Sequence, residues 1–398
     1  MDTTSSKKFL IILLGSLVAF GPLSIDMYLP SLPLIAEQLN TTIGKTQNTI
    51  TIFLLGFSIG MLVYGPLSDQ FGRKKLLLLG MVIYIVATVG CYFSSQVEHL
   101  QGFRFLQALG GASASVLARA IVRDVFSVQE TPHILSVMHI ITMISTLIAP
   151  MLGAFLVEQF NWQAIFLFLI FYAVVCLIWS ARSIEHREPT AMQGGILHHY
   201  KVVLSSSEGI GFILCLGFSF AGMFAYITAS PFVFIEYYQL KPQHYAYIFA
   251  LNIFSVIIFT SLNKRALKKY TAYQLLAVFV GIALLAGTYL AVLSLLDIHS
   301  LPALIIGLML FVGVSGSIGA NSIANLLKLF PQQAGTASGI AVSSQFALGG
   351  LVSYIVSLVF HQDDPSSMGY AILMCAVISA ASFIFLTKPK KNGLFQAQ

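Results

Sequence analysis

Long apolar stretches separated by short polar connections run along the whole chain of 398 residues. About 20 consecutive apolar residues in a helix are enough to cross the hydrocarbon core of a bilayer. Twelve stretches reach this length, and we predict a membrane-spanning helix in each. They are residues 9–36, 46–67, 75–94, 100–122, 134–158, 162–182, 208–235, 244–262, 272–294, 301–327, 335–360 and 368–387.

The composition agrees with a protein that crosses a membrane many times. Hydrophobic residues make up 57% of the chain, charged residues make up 9%, and the mean hydropathy is +0.86. In a soluble domain about a quarter of the residues are charged. The first stretch begins like a secretory signal peptide, with Lys7 and Lys8 before an apolar run, but it continues too far and contains Asp26. We therefore interpret it as a span.

Basic residues predict the orientation in the membrane. All but three of the 21 Lys and Arg residues fall in connections on one side; the exceptions are Lys45 and Lys241 in opposite loops and Arg104 within a span. The positive-inside rule then places both termini in the cytoplasm. Topology also explains the net charge of +6, so the charge gives no reason to expect nucleic-acid binding.

The longest polar connection, residues 183–207, divides the chain near its middle. We predict an N-terminal six-helix bundle over residues 1–182, a cytoplasmic linker over 183–207 and a C-terminal six-helix bundle over 208–398. When the first and seventh stretches are aligned, Pro30 falls opposite Pro231. Weak internal repetition of this kind is typical of duplicated transporter halves. Coincidence between apolar segments is the alternative.

The cysteines and histidines of the sequence form no recognisable metal-binding motif. The four cysteines all fall within apolar stretches, where we expect free and buried thiols, and among the histidines only His139 lies deep in a span. Neither residue type has metal-ligand spacing. We predict no metal, no cofactor and no enzymatic activity.

Asp26 is the only acidic residue deep within a predicted span. Inserting a charge at the bilayer centre costs about 3 kcal/mol on insertion scales. Arg104, in the fourth stretch, lies at a similar depth, and we predict that it is the partner of Asp26. Burial favours a neutral carboxyl and a nearby cation favours a carboxylate, so such a pair can exchange a proton with water. The alternative is a permanent ion pair with a structural role.

The fourth stretch carries one polar face. At about 3.6 residues per turn, this face contains Arg104, Gln107, Gly111, Ser115 and Arg119. We predict that it lines an aqueous cavity.

The connection between the second and third stretches, residues 65–75, reads GPLSDQFGRKK. Asp69 and Arg73 lie four residues apart and are predicted to pair. The segment resembles the loop signature of the major facilitator superfamily, roughly G-x-L-x-D-[RQ]-x-G-R-[KR]-[KR]. The resemblance implies an all-α transporter of twelve helices in two pseudo-symmetric six-helix bundles. It also implies a cytoplasmic conformational latch that includes Gly65, Asp69, Gly72 and Arg73, with the aspartate near the start of the eleventh helix at residues 334–338.

Three charged residues end the fourth stretch on the same side of the membrane: Arg119, Arg123 and Asp124. We predict that they join this latch. Simple anchoring of the helix end is the alternative.

Two further segments resemble motifs of the superfamily. The segment RFLQALGGA resembles its fourth-helix motif, whose arginine is linked in the family to proton coupling, although Ala108 replaces a glycine. The fifth stretch resembles the antiporter motif G-P-x-x-G-G at Ala149, Pro150 and Gly153, with Ala154 in the last position. The resemblance favours antiport, and close helix packing is the alternative.

Longer segments resemble the Bcr/CflA family of drug:proton antiporters, which confer bicyclomycin and chloramphenicol resistance. These segments are GPLSIDMYLPSLP from Gly21, ARAIVRD from Ala118, FAGMFAYITASPFVF from Phe220, FALN ending at Asn252 and AGTASG from Ala334. The resemblance implies that Asp26 is the coupling acid of the first helix. Val18 offers no second carboxylate, which disfavours permanently charged cations as substrates.

A central cavity with aromatic and amide groups suits varied amphipathic ligands. The candidate substrate contacts are Tyr28, Asn48, Gln107, Phe224, Tyr226, Asn252, Asn321 and Gln345. We predict alternating access by rocking of the two halves, with Asp26 as the switch: the carboxylate favours drug binding, and protonation from outside favours release.

Together these features predict a proton-coupled multidrug efflux antiporter, monomeric, in the inner membrane of a bacterium. A proton-coupled nutrient or metabolite transporter on the same fold is one alternative, and a membrane sensor without transport is another.

Overall fold

Helices account for every regular element in the part of the chain that the computed structural model describes, residues 3–127, 129–185, 196–359 and 366–387. No strand is present in these ranges. The predicted all-α class is therefore confirmed.

The N-terminal half, up to residue 183, supplies the first six spans. Its helices are α1 (Thr3–Val18), α2 (Phe20–Asp26), a 3₁₀ turn (Leu29–Ser31), α3 (Leu32–Gln38), α4 (Ile43–Phe71), α5 (Arg73–Tyr92), α6 (Val97–Val125), α7 (Thr131–Gln159) and α8 (Gln163–Ser183). The predicted linker contains a short helix, α9 (Ile196–Leu204), and its residues 186–195 lie outside the described ranges.

The C-terminal half, from residue 207, supplies the other six. Its helices are α10 (Ser207–Pro231), a π-helical turn (Phe232–Tyr237), α11 (Pro242–Ala266), α12 (Ala272–Leu295), α13 (Leu301–Leu329), α14 (Ala334–Val359) and α15 (Ser366–Leu386).

The predicted spans agree with these helices except at the start of the chain. Within the described residues, eleven helices are long and apolar enough to cross a membrane. The first predicted span, 9–36, is not one straight helix: Lys7–Val18 and Phe20–Gln38 meet at 41°, and together they supply the twelfth span. The four cysteines are buried and free, as predicted.

Glycine and alanine let the helices of the N-terminal half approach closely. A Cβ atom added at Gly56 would lie 2.6 Å from the carbonyl oxygen of Phe105, and one added at Gly60 would lie 2.5 Å from Cβ of Ala112. Small residues at such crossings are typical of membrane helices, because packing rather than hydrophobic burial holds the helices together.

The two halves meet along α4 and α14. With the orientation that the basic loops predict, this contact runs inward from the outer face. A Cβ added at Gly44 would lie 2.7 Å from the carbonyl oxygen of Ser357. Deeper in the membrane, Ser58 Oγ donates to the carbonyl oxygen of Ser343 at 2.9 Å and Ser343 Oγ donates to that of Ser58 at 3.1 Å. One turn further toward the cytoplasm, a Cβ added at Gly339 would meet no atom within 4 Å. The outer part of this contact is therefore closed.

Gly110 provides a test of the close packing of α6 on α5. A Cβ added there would lie 2.5 Å from the backbone nitrogen of Tyr84 and 2.6 Å from the carbonyl oxygen of Gly80. Gly110→Ala must push the helices apart, and we expect a loss of about 1–3 kcal/mol, as for other overpacked sites. Thermal unfolding in detergent measures this loss of stability.

The matched control is Gly102→Ala on the same helix, where an added Cβ meets nothing within 4 Å. Gly102→Ala should leave the midpoint temperature of unfolding unchanged or raise it slightly, because alanine favours the helix. Equal midpoints for the two variants would contradict the packing described here.

Candidate functional site

The helix-one break at Asp26 is the centre of the candidate site. Asp26 ends α2 and is 5% exposed. Its carbonyl oxygen would normally accept a hydrogen bond from residue 30, but Pro30 has no backbone N–H to donate. Pro33 likewise has no backbone N–H to donate to the carbonyl oxygen of Leu29. The two prolines therefore explain why the helix stops here and restarts after a 3₁₀ turn.

The Asp26 carboxyl has no cation beside it. It makes no hydrogen bond or ion pair with any described residue. Loss of water on burial is the main influence on its charge. It lies close enough to Tyr226 and Tyr245 to interact electrostatically with both. These tyrosines belong to α10 and α11, which also contact the Leu29–Ser31 turn. The acid of the N-terminal half thus faces hydroxyl groups of the C-terminal half.

Arg104 is fully buried, but the predicted pairing with Asp26 is wrong in this structure. Its Nη1 donates to the carbonyl oxygen of Ser24 at 3.0 Å and to Gln107 Oε1 at 2.7 Å. Its guanidinium lies 4.5 Å from the ring centre of Tyr28 and 4.3 Å from that of Phe53. Such cation–π contacts stabilise a cation that has lost its water. Similar depth along two helices did not place the two charges on facing sides.

Arg104 instead satisfies a backbone group that the helix break sets free. In a continuous helix the N–H of Tyr28 would donate to Ser24, but here it donates to Ile25 at 3.2 Å. The carbonyl of Ser24 is then left for the guanidinium. Water is scarce at this depth, so an unpaired carbonyl would cost several kcal/mol. Arg104 therefore fixes the backbone two residues before Asp26.

Side chains of three helices complete this network. Gln107 Nε2 donates to Thr88 Oγ1 at 2.9 Å, and Ser24 Oγ lies 2.7 Å from the hydroxyl of Tyr84. Gln107 was predicted to contact substrate, yet it is fully buried and bonded within its own half. Tyr28, another predicted contact, is also buried, with its hydroxyl 3.0 Å from Thr49 Oγ1.

The polar face of α6 was predicted to line an aqueous cavity. Most of this face is instead packed against other helices. Arg104, Gln107, Gly111 and Ser115 are buried. Ring atoms of Tyr84 lie against Gly111, and Ser115 Oγ donates to the carbonyl of Val18 at 3.4 Å. Arg119 alone of this face is exposed.

Hydroxyl and amide groups gather on the C-terminal half opposite Asp26. Asn252 Nδ2 donates to the hydroxyl of Tyr226 at 3.1 Å, and Asn252 Oδ1 is buried without a partner among the described residues. Ser230 Oγ lies 3.1 Å from the hydroxyl of Tyr245. Sequence reasoning found Tyr226 and Asn252 but missed Ser230 and Tyr245. Tyr245 lies seven residues before Asn252 on α11, so a search of that helix face would have found it.

An aromatic cluster joins the two halves near the middle of the membrane. Phe346 on α14 has its ring centre 4.8 Å from Phe57 of α4, 5.7 Å from Phe220 and 6.2 Å from Phe224. Phe224 was a predicted substrate contact, whereas Phe57, Phe220 and Phe346 were not. Aromatic surface of this kind suits amphipathic ligands.

The remaining predicted contacts lie elsewhere. Asn48 accepts a hydrogen bond from Ser357 Oγ at 2.7 Å in the outer contact between the halves. Asn321 exchanges hydrogen bonds with Asn263, one of them at 3.0 Å. Gln345 is half-buried on α14. The structure thus brings Asp26, Tyr226 and Asn252 together, and gives Asn48 and Asn321 other partners.

The predicted Asp69–Arg73 pair is present, at 2.5 Å. Arg73 Nε also donates to Asp124 Oδ2 at 3.0 Å, so one guanidinium joins α4, α5 and α6. The polar turn is shorter than predicted, because α4 continues past Gly65 to Phe71 and only Gly72 separates it from α5. The φ of 88° at Gly72 suits glycine.

Two arginines lie near this cluster, on the side of the membrane that the basic loops predict to be cytoplasmic. Arg123 reaches α14, where a Cβ added at Gly335 would lie 3.6 Å from its Nη1. Neither it nor Arg119 takes part in an ion pair within the described ranges. The group beside the start of α14 is thus Arg123, while Asp69 binds Arg73.

The antiporter-like segment of α7 packs directly on the helix-one break. A Cβ added at Gly153 would lie 2.0 Å from the carbonyl oxygen of Met27, the residue after Asp26. Ala149 is fully buried and Pro150 lies inside the helix. Gly153 is therefore required for the close approach of α7 to the break.

Comparison with known proteins agrees with this architecture. The model of the Major Facilitator Superfamily matches residues 12–354. A protein of Haemophilus influenzae called "bicyclomycin resistance protein homolog" is 32% identical over 97% of this chain and 98% of its own length. The "chloramphenicol resistance protein" of Pseudomonas aeruginosa is 25% identical over 96% of this chain and 92% of its own length. Among solved structures, a D-xylose-proton symporter superposes with a TM-score of 0.75 at 16% identity, covering 97% of this chain and 99% of that protein, which shows a shared fold.

A double-mutant cycle tests whether Arg104 serves the backbone or Asp26. Arg104→Gln should lower the free energy of unfolding by about 1 kcal/mol or more, because the Ser24 carbonyl loses its donor. Asp26→Asn should not relieve that cost, so the two effects should add within about 0.5 kcal/mol. Chemical or thermal unfolding in detergent measures all four proteins. If Asp26→Asn restored most of the stability lost in Arg104→Gln, the two side chains would form the ion pair that this structure lacks.

Proposed function

The chain belongs to the Major Facilitator Superfamily of membrane transporters, and on that premise we propose that it is a proton-coupled antiporter that exports small amphipathic drugs. The observation that carries the proposal is the position of Asp26: a buried carboxyl without a cation, at a helix break, facing the other half of the protein. The names of relatives connected with bicyclomycin and chloramphenicol resistance support drugs as the substrate class.

Asp26 couples proton binding to the position of the two halves. While the outer contact between α4 and α14 is closed, an ionised Asp26 would be buried without compensation, which is costly. The neutral acid therefore suits this state. When the outer side opens, water reaches the carboxyl and stabilises the carboxylate. A proton taken up from outside thus favours closure of the outer side and return of the site to the cytoplasm.

Drug binding completes the exchange. An aromatic drug packs on the cluster of Phe57, Phe220, Phe224 and Phe346, and the free Oδ1 of Asn252 accepts a hydrogen bond from its hydroxyl or amide group. Water that enters from the cytoplasmic side stabilises the carboxylate, so the site releases its proton to the cytoplasm. The drug-loaded carrier then opens outward. Each proton that returns inward down the membrane potential releases about 2.3 kcal/mol per 100 mV, which drives export.

The remaining parts of the proposal concern the moving units. The two six-helix bundles rock against each other, and the Asp69–Arg73–Asp124 cluster, next to Arg123, acts as a cytoplasmic latch. Arg104 contributes to proton coupling by holding the backbone that carries Asp26. The transporter works as a monomer in a bacterial inner membrane, with both termini in the cytoplasm.

Reconstitution in liposomes that contain a pH-sensitive dye tests the coupling. With a proton gradient imposed, chloramphenicol should trigger proton movement in the wild-type protein. Asp26→Asn should lower the initial rate at least roughly tenfold, because the amide cannot carry the proton. The matched control is Asp297→Asn, at an exposed connection between α12 and α13, where asparagine also tolerates the φ of 51°. It should behave as the wild type.

Two results would overturn the proposal. Proton movement in Asp26→Asn at the wild-type rate would remove Asp26 from the coupling step. A response to a nutrient such as D-xylose, with none to any drug tried, would replace efflux by nutrient transport.

A further inference from the structure

Arg119 differs from every other polar side chain on its face of α6. Ser115, one turn before it, is buried against the carbonyl of Val18. Arg119 is exposed to solvent. On α14, one turn from the Gly335 that Arg123 reaches, a Cβ added at Gly339 would meet no atom within 4 Å. An exposed arginine beside this open space lines a cavity between the halves. Since α6 runs toward its cytoplasmic end here, that cavity opens on the predicted cytoplasmic side.

A second arginine stands beside the same opening. Arg123, one turn further along α6, reaches α14, where a Cβ added at Gly335 would lie 3.6 Å from its Nη1. The two arginines therefore belong to α6 of one half and face α14 of the other. We call Arg119 and Arg123 the cationic vestibule.

Two acids of α4 and α6 offset only part of this charge. Asp124 and Asp69 both bind Arg73 at the surface of the N-terminal half. Arg73, Arg119 and Arg123 carry three positive charges against these two carboxylates, so a net positive charge remains. Asp26 lies near the depth of Arg104, and 15 residues of α6 separate Arg104 from Arg119, about 22 Å along the helix axis. Because a guanidinium stays protonated, the vestibule keeps its positive charge whether or not Asp26 is ionised.

We propose that the cationic vestibule selects the charge class of the substrates: it admits neutral and anionic amphiphiles and excludes organic cations. This inference rests on the proposed efflux function and narrows its substrates. Clefts lined by charge of one sign, with walls of low dielectric constant, concentrate ligands of the opposite sign and repel those of the same sign. Neutral drugs pass because the vestibule offers them no repulsion.

Two ions of nearly the same shape and opposite charge provide the test. Tetraphenylborate is an anion and tetraphenylphosphonium is a cation, so a difference in their affinity reports charge rather than size. Isothermal titration of the purified full-length protein in an uncharged detergent measures both dissociation constants. We expect tetraphenylborate to bind at least roughly tenfold more tightly than tetraphenylphosphonium. The ratio should fall as salt is raised.

Variants locate the source of the preference. Arg119→Gln should move the ratio of the two affinities toward one, and Arg119→Lys should keep it, because the positive charge remains. Arg182→Gln removes an exposed arginine at the cytoplasmic end of α8, on the same side of the membrane, and should leave the ratio unchanged. Thermal unfolding of each variant shows whether it is folded. If Arg119→Gln is not folded, Arg123→Gln replaces it, because loss of the second arginine of the vestibule should also move the ratio toward one.

Three results would overturn the inference: equal affinities for the two ions, tighter binding of the cation, or no binding of either ion. A preference that persists in Arg119→Gln, or is lost in Arg119→Lys, would also overturn the assignment to this side chain. Failure here is distinct from failure of the proposed function, because chloramphenicol is neutral. A protein that couples protons to chloramphenicol but binds both ions equally would remain an antiporter without this charge selection.

Discussion

A membrane helix that breaks must find new partners for its backbone carbonyls, because the surrounding hydrocarbon supplies none. The rest of this structure depends on how the first span meets that constraint. Pro30 and Pro33 remove two donors, the chain tightens at Tyr28, and the carbonyl of Ser24 is released. Arg104 binds it from α6. One buried guanidinium thus holds the bend that presents Asp26 to the opposite half.

The same bend explains why neighbouring helices have small residues. Gly153 lets α7 reach the carbonyl of Met27, and the break packs on α10 and α11 near Tyr226 and Tyr245. Asp26 is consequently near the contact between the halves. In the mechanism we propose, a change in its charge affects whether the outer side stays closed. If Asp26 were permanently paired with Arg104, the arginine would neutralise its charge in the open and the closed state alike. Protonation of Asp26 would then change the relative stability of the two states only a little. The absence of that pair within the described residues therefore matters to the mechanism.

Much of the fold was predictable from the sequence, because span length and apolar composition directly reflect membrane thickness. The Asp69–Arg73 pair was predictable as well, since four residues on one helix face fix the distance. The partner of Arg104 was not, because depth along two separate helices says nothing about which faces meet. Gln107 and Asn321 illustrate the same difficulty: both are polar and deep, but both bind other side chains within their own half. The break in the first span had visible signals in Pro30 and Pro33, whereas its consequence for Ser24 required the three-dimensional structure.

In the proposed mechanism, protonation of Asp26 favours closure of the outer side. Spin labels on cysteines introduced at Ser95 and Ile298, exposed positions on outer connections of the two halves, report the outer opening as a distance in liposomes; the native cysteines are buried. Lowering the pH should shift the population toward the shorter, closed distance. Asp26→Asn, which mimics the neutral acid, should remain closed at every pH. A distance distribution that responds to pH equally in the wild type and in Asp26→Asn would exclude Asp26 as the group that controls closure.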